Sequence, residues 1–111
     1  MAAEQRKSSR NKTYAKVILE GGGLGYLRDL SREGCQIAFI GKPLVERGKV
    51  VDVEILPAEE MGIPRFSLSV QIMWTRDDPV YCIAGGLINS VQERERLEQL
   101  FRYYTKDSRY Q

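Results

Sequence analysis

The sequence predicts a mainly β protein, a sandwich or barrel of six strands followed by one C-terminal helix. Short segments of alternating or near-continuous apolar residues recur along the chain, separated by glycine, proline and aspartate turns. The last segment changes from a spacing of two residues to a helical spacing. With 111 residues, the chain has room for one domain and one core.

Six segments carry the strand pattern, and each is bounded by turn residues. In chain order they are 14–20, 24–30, 35–40, 49–56, 66–74 and 80–88. Gly21-Gly22-Gly23 can adopt positive φ, so the first two strands are predicted to form a hairpin. The fifth segment has the clearest alternation, and it predicts that Trp74 packs in the core on the same face as Ile72.

The helix is predicted to begin at Asn89 and Ser90 and to run to about residue 105. Ser90 and Glu93 have the spacing of a capping box, in which the two side chains satisfy exposed N–H groups of the first turn. We expect the helix to pack across an open mouth or an outer edge of the β domain, and residues 106–111 to form a frayed tail. Apolar residues follow at helical spacing, namely Val91, Leu97, Leu100, Phe101 and Tyr104.

Charge and composition argue against catalysis and metal binding. The formal net charge is only +2, and the chain contains no histidine, which excludes Ser-His-Asp, Cys-His and HExxH chemistry. Cys35 and Cys82 lie in apolar segments without a CxxC pair, so both are predicted to be reduced core residues. No apolar run approaches the roughly 20 residues of a membrane span, and the N-terminus lacks a secretory pattern. We therefore expect a cytoplasmic protein that is not an enzyme, has no cofactor and does not insert into membranes.

A basic arm, residues 1–12, contains the first motif, Arg6-Lys7-Ser8-Ser9-Arg10, of the form RxxxR. Two arginines at this spacing can grip one compact dianion, because the planar guanidinium bonds bidentately to phosphate or to a guanine edge. The arm has few apolar side chains and many like charges, so it is expected to be flexible without a ligand. The alternative interpretation is a solvated basic tail with no specific role.

The second motif, Asp29-Leu30-Ser31-Arg32-Glu33-Gly34, has the form DxSxxG and follows a predicted strand. A turn alone would explain it, since Asp and Ser side chains bond to nearby backbone and Gly34 could supply positive φ. The same groups could also bind a ligand. A carboxylate accepts hydrogen bonds from guanine N1–H and N2–H, a serine hydroxyl donates to phosphate, and a glycine permits close approach.

Both motifs, in this order before a β-rich chain that ends in a helix, resemble the PilZ domain family, whose members are bacterial receptors for cyclic di-GMP. The resemblance extends to Ile72-x-Trp74 and to Tyr81 followed by Gly85-Gly86. It implies a six-stranded antiparallel barrel, no catalysis, and cyclic di-GMP held between the arm and the barrel wall. A protein partner would receive the signal. The ligand-binding residues implied in this chain are Arg6, Arg10, Asp29, Ser31, Gly34 and Gly86.

Other interpretations of the same chain remain open. Gly85-Gly86 could leave room for a guanine or could mark a simple bulge, and Gln5, in place of a further arginine, favours one bound ligand over an intercalated pair. A PilZ-like adaptor could hold a protein partner without binding nucleotide. An oligonucleotide-binding barrel is disfavoured, because the tyrosines are too scattered to form a stacking strip, and we expect no DNA or RNA partner.

Overall fold

The structure, a computed structural model, is a closed barrel of six antiparallel strands followed by one helix. It describes residues 14–41 and 45–108, with the side chains of 106–108 excepted. The strands are β1 (Ala15–Leu19), β2 (Gly23–Leu30), β3 (Gly34–Ile40), β4 (Val50–Pro57), β5 (Phe66–Asp77) and β6 (Tyr81–Val91). They follow the order β1-β2-β3-β6-β5-β4, and β1 pairs with β4 to close the barrel. The predicted fold class is confirmed.

Alternation along each strand builds the barrel core. In β1, the inward side chains of Ala15, Val17 and Leu19 are buried, while the residues between them are exposed. Each fully buried aliphatic side chain contributes roughly 1.5–3 kcal/mol to the hydrophobic driving force. Cys35 and Cys82 are buried free thiols of this core, as predicted.

The turn between β1 and β2 contains two glycines with positive φ, Gly21 at 96° and Gly22 at 106°. This backbone conformation favours glycine, because a Cβ atom would crowd the neighbouring carbonyl. The hairpin expected from Gly21-Gly22-Gly23 is therefore confirmed.

Three register shifts interrupt the ladders. One extra residue is accommodated at Arg28 in β2, at Met73 in β5 and at Asn89 in β6. A bulge places two residues of one strand opposite one residue of its partner, so the side chains beyond it change faces relative to simple alternation. The bulges at Arg28 and Met73 lie on either side of the candidate site described below.

The helix α1 (Arg94–Ser108) begins later than predicted. Strand β6 continues to Val91, and Ser90 pairs with Ser69 of β5, so the expected capping box at Ser90 is wrong. The polar residues that suggested a helix start are instead on the last part of a strand. The helix extends through Ser108, past the predicted end near 105, so the first residues of the expected frayed tail are helical. Residues 109–111 lie outside the described residues.

The apolar face of α1 covers one end of the barrel. Leu97, Leu100 and Tyr104 are buried within the barrel core, beside the end of β2. Of the two expected positions, an open mouth or an outer edge of the β domain, the helix takes the open mouth. Within the described ranges, no helix combines the length and the apolar character that a membrane span requires.

Candidate ligand-binding site

A row of four cross-strand neighbours crosses the outer surface of the barrel. Asp29 of β2 pairs with Gln36 of β3, Gln36 pairs with Gly85 of β6, and Gly85 pairs with Trp74 of β5. The two ends of this row are separated by three inter-strand spacings, a distance of about 14 Å. A carboxylate therefore lies at one end of the row and an indole at the other, with an amide and a glycine between them.

Trp74 lies outside the core, contrary to the prediction. The extra residue at Met73 shifts the register between Ile72 and Trp74, so that Ile72 points inward while Met73 and Trp74 both face solvent. Trp74 is 38% exposed. Uniform alternation predicted the wrong face, because a bulge depends on pairing with the neighbouring strand and leaves no clear pattern in the sequence.

Gly85 leaves room for the indole of Trp74 to pack against β6. A Cβ atom at Gly85 would overlap atoms of the indole ring. Gly86 has a different environment, because its Cβ atom would point inward, 2.5 Å from Val70 Cγ1 and 2.6 Å from the Gln71 carbonyl oxygen. Gly85 thus leaves room for the indole on the outer side of β6, whereas Gly86 allows close packing between β6 and β5.

The β2–β3 turn is closed by the second motif. The Ser31 N–H donates to the Gly34 carbonyl oxygen at 2.9 Å, and the Gly34 N–H donates to Ser31 Oγ at 3.0 Å. Gly34 does not have the positive φ suggested by the sequence. A glycine is required for a different reason, since a Cβ atom would lie 2.8 Å from the Gly86 carbonyl oxygen.

Four of the six candidate residues border one shallow depression of about 260 Å³. Strands β2, β3 and β6 contribute Asp29, Gly34 and Gly86, and the turn between β2 and β3 contributes Ser31. Arg6 and Arg10 lie outside the described residues. The other lining residues are Leu30, Cys35, Gln36, Met73, Trp74, Gly85 and Leu87. Of these, Gln36 and Met73 were not singled out from the sequence, because only strand register places them beside Asp29 and Gly86.

Asp29 is the one charged residue among the described residues that line the depression. Its Oδ1 accepts a hydrogen bond of 2.9 Å from the Leu30 N–H. Burial raises the pKa of the Cys35 thiol from 9.0 to about 12, and the nearby charge of Asp29 adds to this shift. The thiol beneath the depression is therefore neutral near pH 7 and is a poor nucleophile.

The turn also contacts α1. Arg32 Nε lies 3.7 Å from Glu98 Oε1, and the Arg32 guanidinium carbon lies 5.6 Å from the centre of the Phe101 ring. Both groups of the ion pair are partly solvated, so the pair contributes little energy. These two contacts nevertheless show that α1 lies directly beside the second motif.

No cluster of three or more His, Cys, Asp or Glu side chains suited to a metal ion occurs in the part of the chain that the structure describes. The polar groups of the depression are instead a carboxylate, an amide and a hydroxyl. Together with the indole, these groups suit a planar ligand that offers hydrogen-bond donors along one edge.

Comparison with known proteins agrees with this architecture. The inhibitor of motility of Bacillus subtilis (MotI/DgrA) has a similar solved structure, with a TM-score of 0.67 and 12% sequence identity. The match covers 91% of this chain and 49% of that protein, so the chain spans about half of its length. At this identity the likeness concerns the fold. No curated protein matches the chain significantly. The family model described as the PilZ domain matches residues 4–106, and the chain therefore belongs to the PilZ domain family.

Proposed function

We propose that the protein is a cytoplasmic bacterial receptor for cyclic di-GMP that passes the signal to a protein partner. The main observation in support of this proposal is the row from Asp29 to Trp74 on the outer surface, which borders the same depression as Ser31 and Gly34. The depression is smaller than the roughly 300–1,000 Å³ usual for small-molecule sites. A second element is therefore needed to enclose a dinucleotide.

The chemistry of the row suits a guanine base. The Asp29 carboxylate can accept hydrogen bonds from the guanine N1–H and N2–H groups, which adenine does not offer in this arrangement. The Gln36 amide, its neighbour across the strands, supplies both a donor and an acceptor. The exposed indole of Trp74 offers a stacking surface, and base–aromatic stacking contributes roughly 1–3 kcal/mol per base.

The phosphates require cations that the lining of the depression does not provide. Asp29 is the only charged group among its described lining residues, and it is negative. We assign the phosphates to Arg6 and Arg10, whose guanidinium groups match phosphate oxygens bidentately. In this proposal the basic arm closes over the ligand from outside, and the ordered arm becomes the surface that a partner recognises.

Isothermal titration with cyclic di-GMP tests the proposal. The parent protein should bind, and the double variant Arg6→Ala, Arg10→Ala should bind at least about 10-fold more weakly, because charge-assisted bonds are lost. The matched control is Lys7→Ala, Lys12→Ala, which removes two charges from the same arm but leaves the motif intact. This control should retain most of the parent affinity.

The outcomes separate the two candidate functions. A parent protein that does not bind cyclic di-GMP would favour the alternative, an adaptor that holds a protein partner without nucleotide. Equal weakening by the arginine and lysine pairs would mean that the arm acts only through its total charge.

The relay is tested by hydrogen exchange with and without ligand. Protection should rise in residues 5–12 and 29–34 when cyclic di-GMP is added, and it should barely change in 66–75. An arm that exchanges equally fast in both states would contradict the ordering step.

A further inference from the structure

The hydroxyl of Tyr104 joins two backbone segments that are far apart in sequence. The side chain is 5% exposed and projects from α1 into the end of the barrel. Its O–H donates to the Leu27 carbonyl oxygen at 2.6 Å, and its oxygen accepts a hydrogen bond of 3.3 Å from the Tyr14 N–H. A single buried hydroxyl thus connects the helix to β2 and to the residue before β1.

The first of these contacts supports the bulge that exposes Asp29. Leu27 is the last residue in register before the shift at Arg28, and the next paired residue is Asp29. The bulge places Arg28 and Asp29 both on the outer surface, between the buried side chains of Leu27 and Leu30. Holding the Leu27 carbonyl therefore helps to hold the backbone from which the Asp29 carboxylate projects.

The second contact fixes the residue that precedes β1. Tyr14 directly follows residues 1–13, and its position is also set by the Ala58 N–H, which donates to the Tyr14 carbonyl oxygen at 2.9 Å. Tyr104 thus holds the backbone just before β1 as well as the backbone of β2.

We infer that Tyr104 is a positioning residue for the ligand site, because its hydroxyl holds the backbone of the Asp29 bulge in place relative to the residue before β1. The inference rests on the proposed function. A carboxylate whose backbone is already held in place loses less conformational freedom when the ligand binds. Tyr104 contacts neither the phosphates nor the base in this arrangement.

The coupling must also act in the reverse direction. If the seating of Tyr104 favours ligand binding, then ligand binding must favour the seating of Tyr104 by the same factor. Cyclic di-GMP should therefore increase the protection of α1 against hydrogen exchange. The helix becomes a second place, besides the arm, at which a partner could detect the bound state.

The test compares Tyr104→Phe with Tyr103→Phe. The first variant removes only the hydroxyl and keeps the aromatic ring, which packs edge-on against the Tyr14 ring at 5.1 Å between centroids. The second removes the hydroxyl of the neighbouring residue, whose ring contacts Tyr14 from a more exposed position. Titration with cyclic di-GMP is done at a temperature at which all three proteins are folded. We expect Tyr104→Phe to weaken binding about 3- to 10-fold and Tyr103→Phe to change it less than about 2-fold.

A purely structural role for Tyr104 gives a different result. It would lower the melting temperature of Tyr104→Phe but leave the affinity and the ligand-induced protection of α1 at parent values, which would overturn the inference. A parent protein that does not bind cyclic di-GMP would instead contradict the proposed function. A further measurement needs no variant, because the parent α1 must gain protection on ligand addition. Unchanged exchange in α1 at saturation would also overturn the inference.

Discussion

Adjacent glycines in β6 should respond differently to the same substitution. In Gly86→Ala, the new methyl group would point into the barrel, 2.5 Å from Val70 Cγ1 and 2.6 Å from a backbone oxygen of Gln71. The Gln71 oxygen belongs to the backbone and cannot move without shifting β5. In Gly85→Ala, the methyl group would meet the indole of Trp74, which is 38% exposed and can rotate toward solvent.

The magnitudes follow from these contacts. Overpacking a core typically costs about 1–3 kcal/mol, and replacing glycine by alanine returns about 0.4–1 kcal/mol through the unfolded chain. We expect Gly86→Ala to lose about 1–2 kcal/mol of unfolding free energy. For a domain of this size that loss lowers the melting temperature by roughly 5–15 °C. Gly85→Ala should stay within about 1 kcal/mol of the parent, because the clash is relieved at the surface.

Thermal unfolding measures the loss of stability in each variant, and tryptophan fluorescence measures the solvent exposure of the indole. Trp74 is the only tryptophan in the chain, so the emission spectrum reports this site alone. Gly85→Ala should shift the emission of the folded protein to longer wavelength, as the indole becomes more solvated, and Gly86→Ala should shift it less. Equal destabilisation by the two variants, or an unchanged spectrum in Gly85→Ala, would refute the assignment of Gly85 to the indole and Gly86 to strand packing.

Three further predictions concern the arm, base selectivity and the buried thiol. Arg10→Lys should restore little of the affinity lost in Arg10→Ala, because lysine is a point charge without the planar fork; titration showing full restoration would contradict bidentate binding. Cyclic di-AMP should bind at least about 100-fold more weakly than cyclic di-GMP, and Asp29→Ala should reduce this difference in affinity. If the parent protein bound both dinucleotides equally tightly, recognition of guanine by Asp29 would be excluded. The raised pKa of Cys35, about 12 against 9.0, means that its contribution to stability is complete below pH 9 and is lost as the pH rises from 9 towards 12. Denaturant unfolding should therefore show a steeper loss between pH 9 and 11 in the parent than in Cys35→Ala, and parallel curves would argue against a buried neutral thiol.

Local patterns in the sequence determined the number and approximate bounds of the strands. Alternation defines which segments can bury one face, and the glycines at 21 and 22 allow the chain to reverse between β1 and β2. The same patterns predicted free core cysteines and a helix with one apolar face. These features depend on residues close together in the chain, which is why they can be recognised without the tertiary structure.

Only part of the candidate site could be predicted from local patterns in the sequence. Motif spacing indicated Asp29, Ser31 and Gly34, because all three belong to one six-residue segment of the chain. Gln36 could not be recognised, since its position beside Asp29 depends on the register between β2 and β3. Trp74 was placed on the wrong face, because the bulge at Met73 forms only when β5 pairs with β6.

The tertiary structure also decided where the last strand ends. Asn89, Ser90 and Glu93 resemble a helix start when only local hydrogen bonds are considered. Pairing with β5 continues the strand through Val91, since the ladder bonds to β5 favour the extended backbone there. The closed barrel likewise brings Tyr104 into contact with Leu27 and Tyr14. No local sequence pattern connects these three segments of the chain.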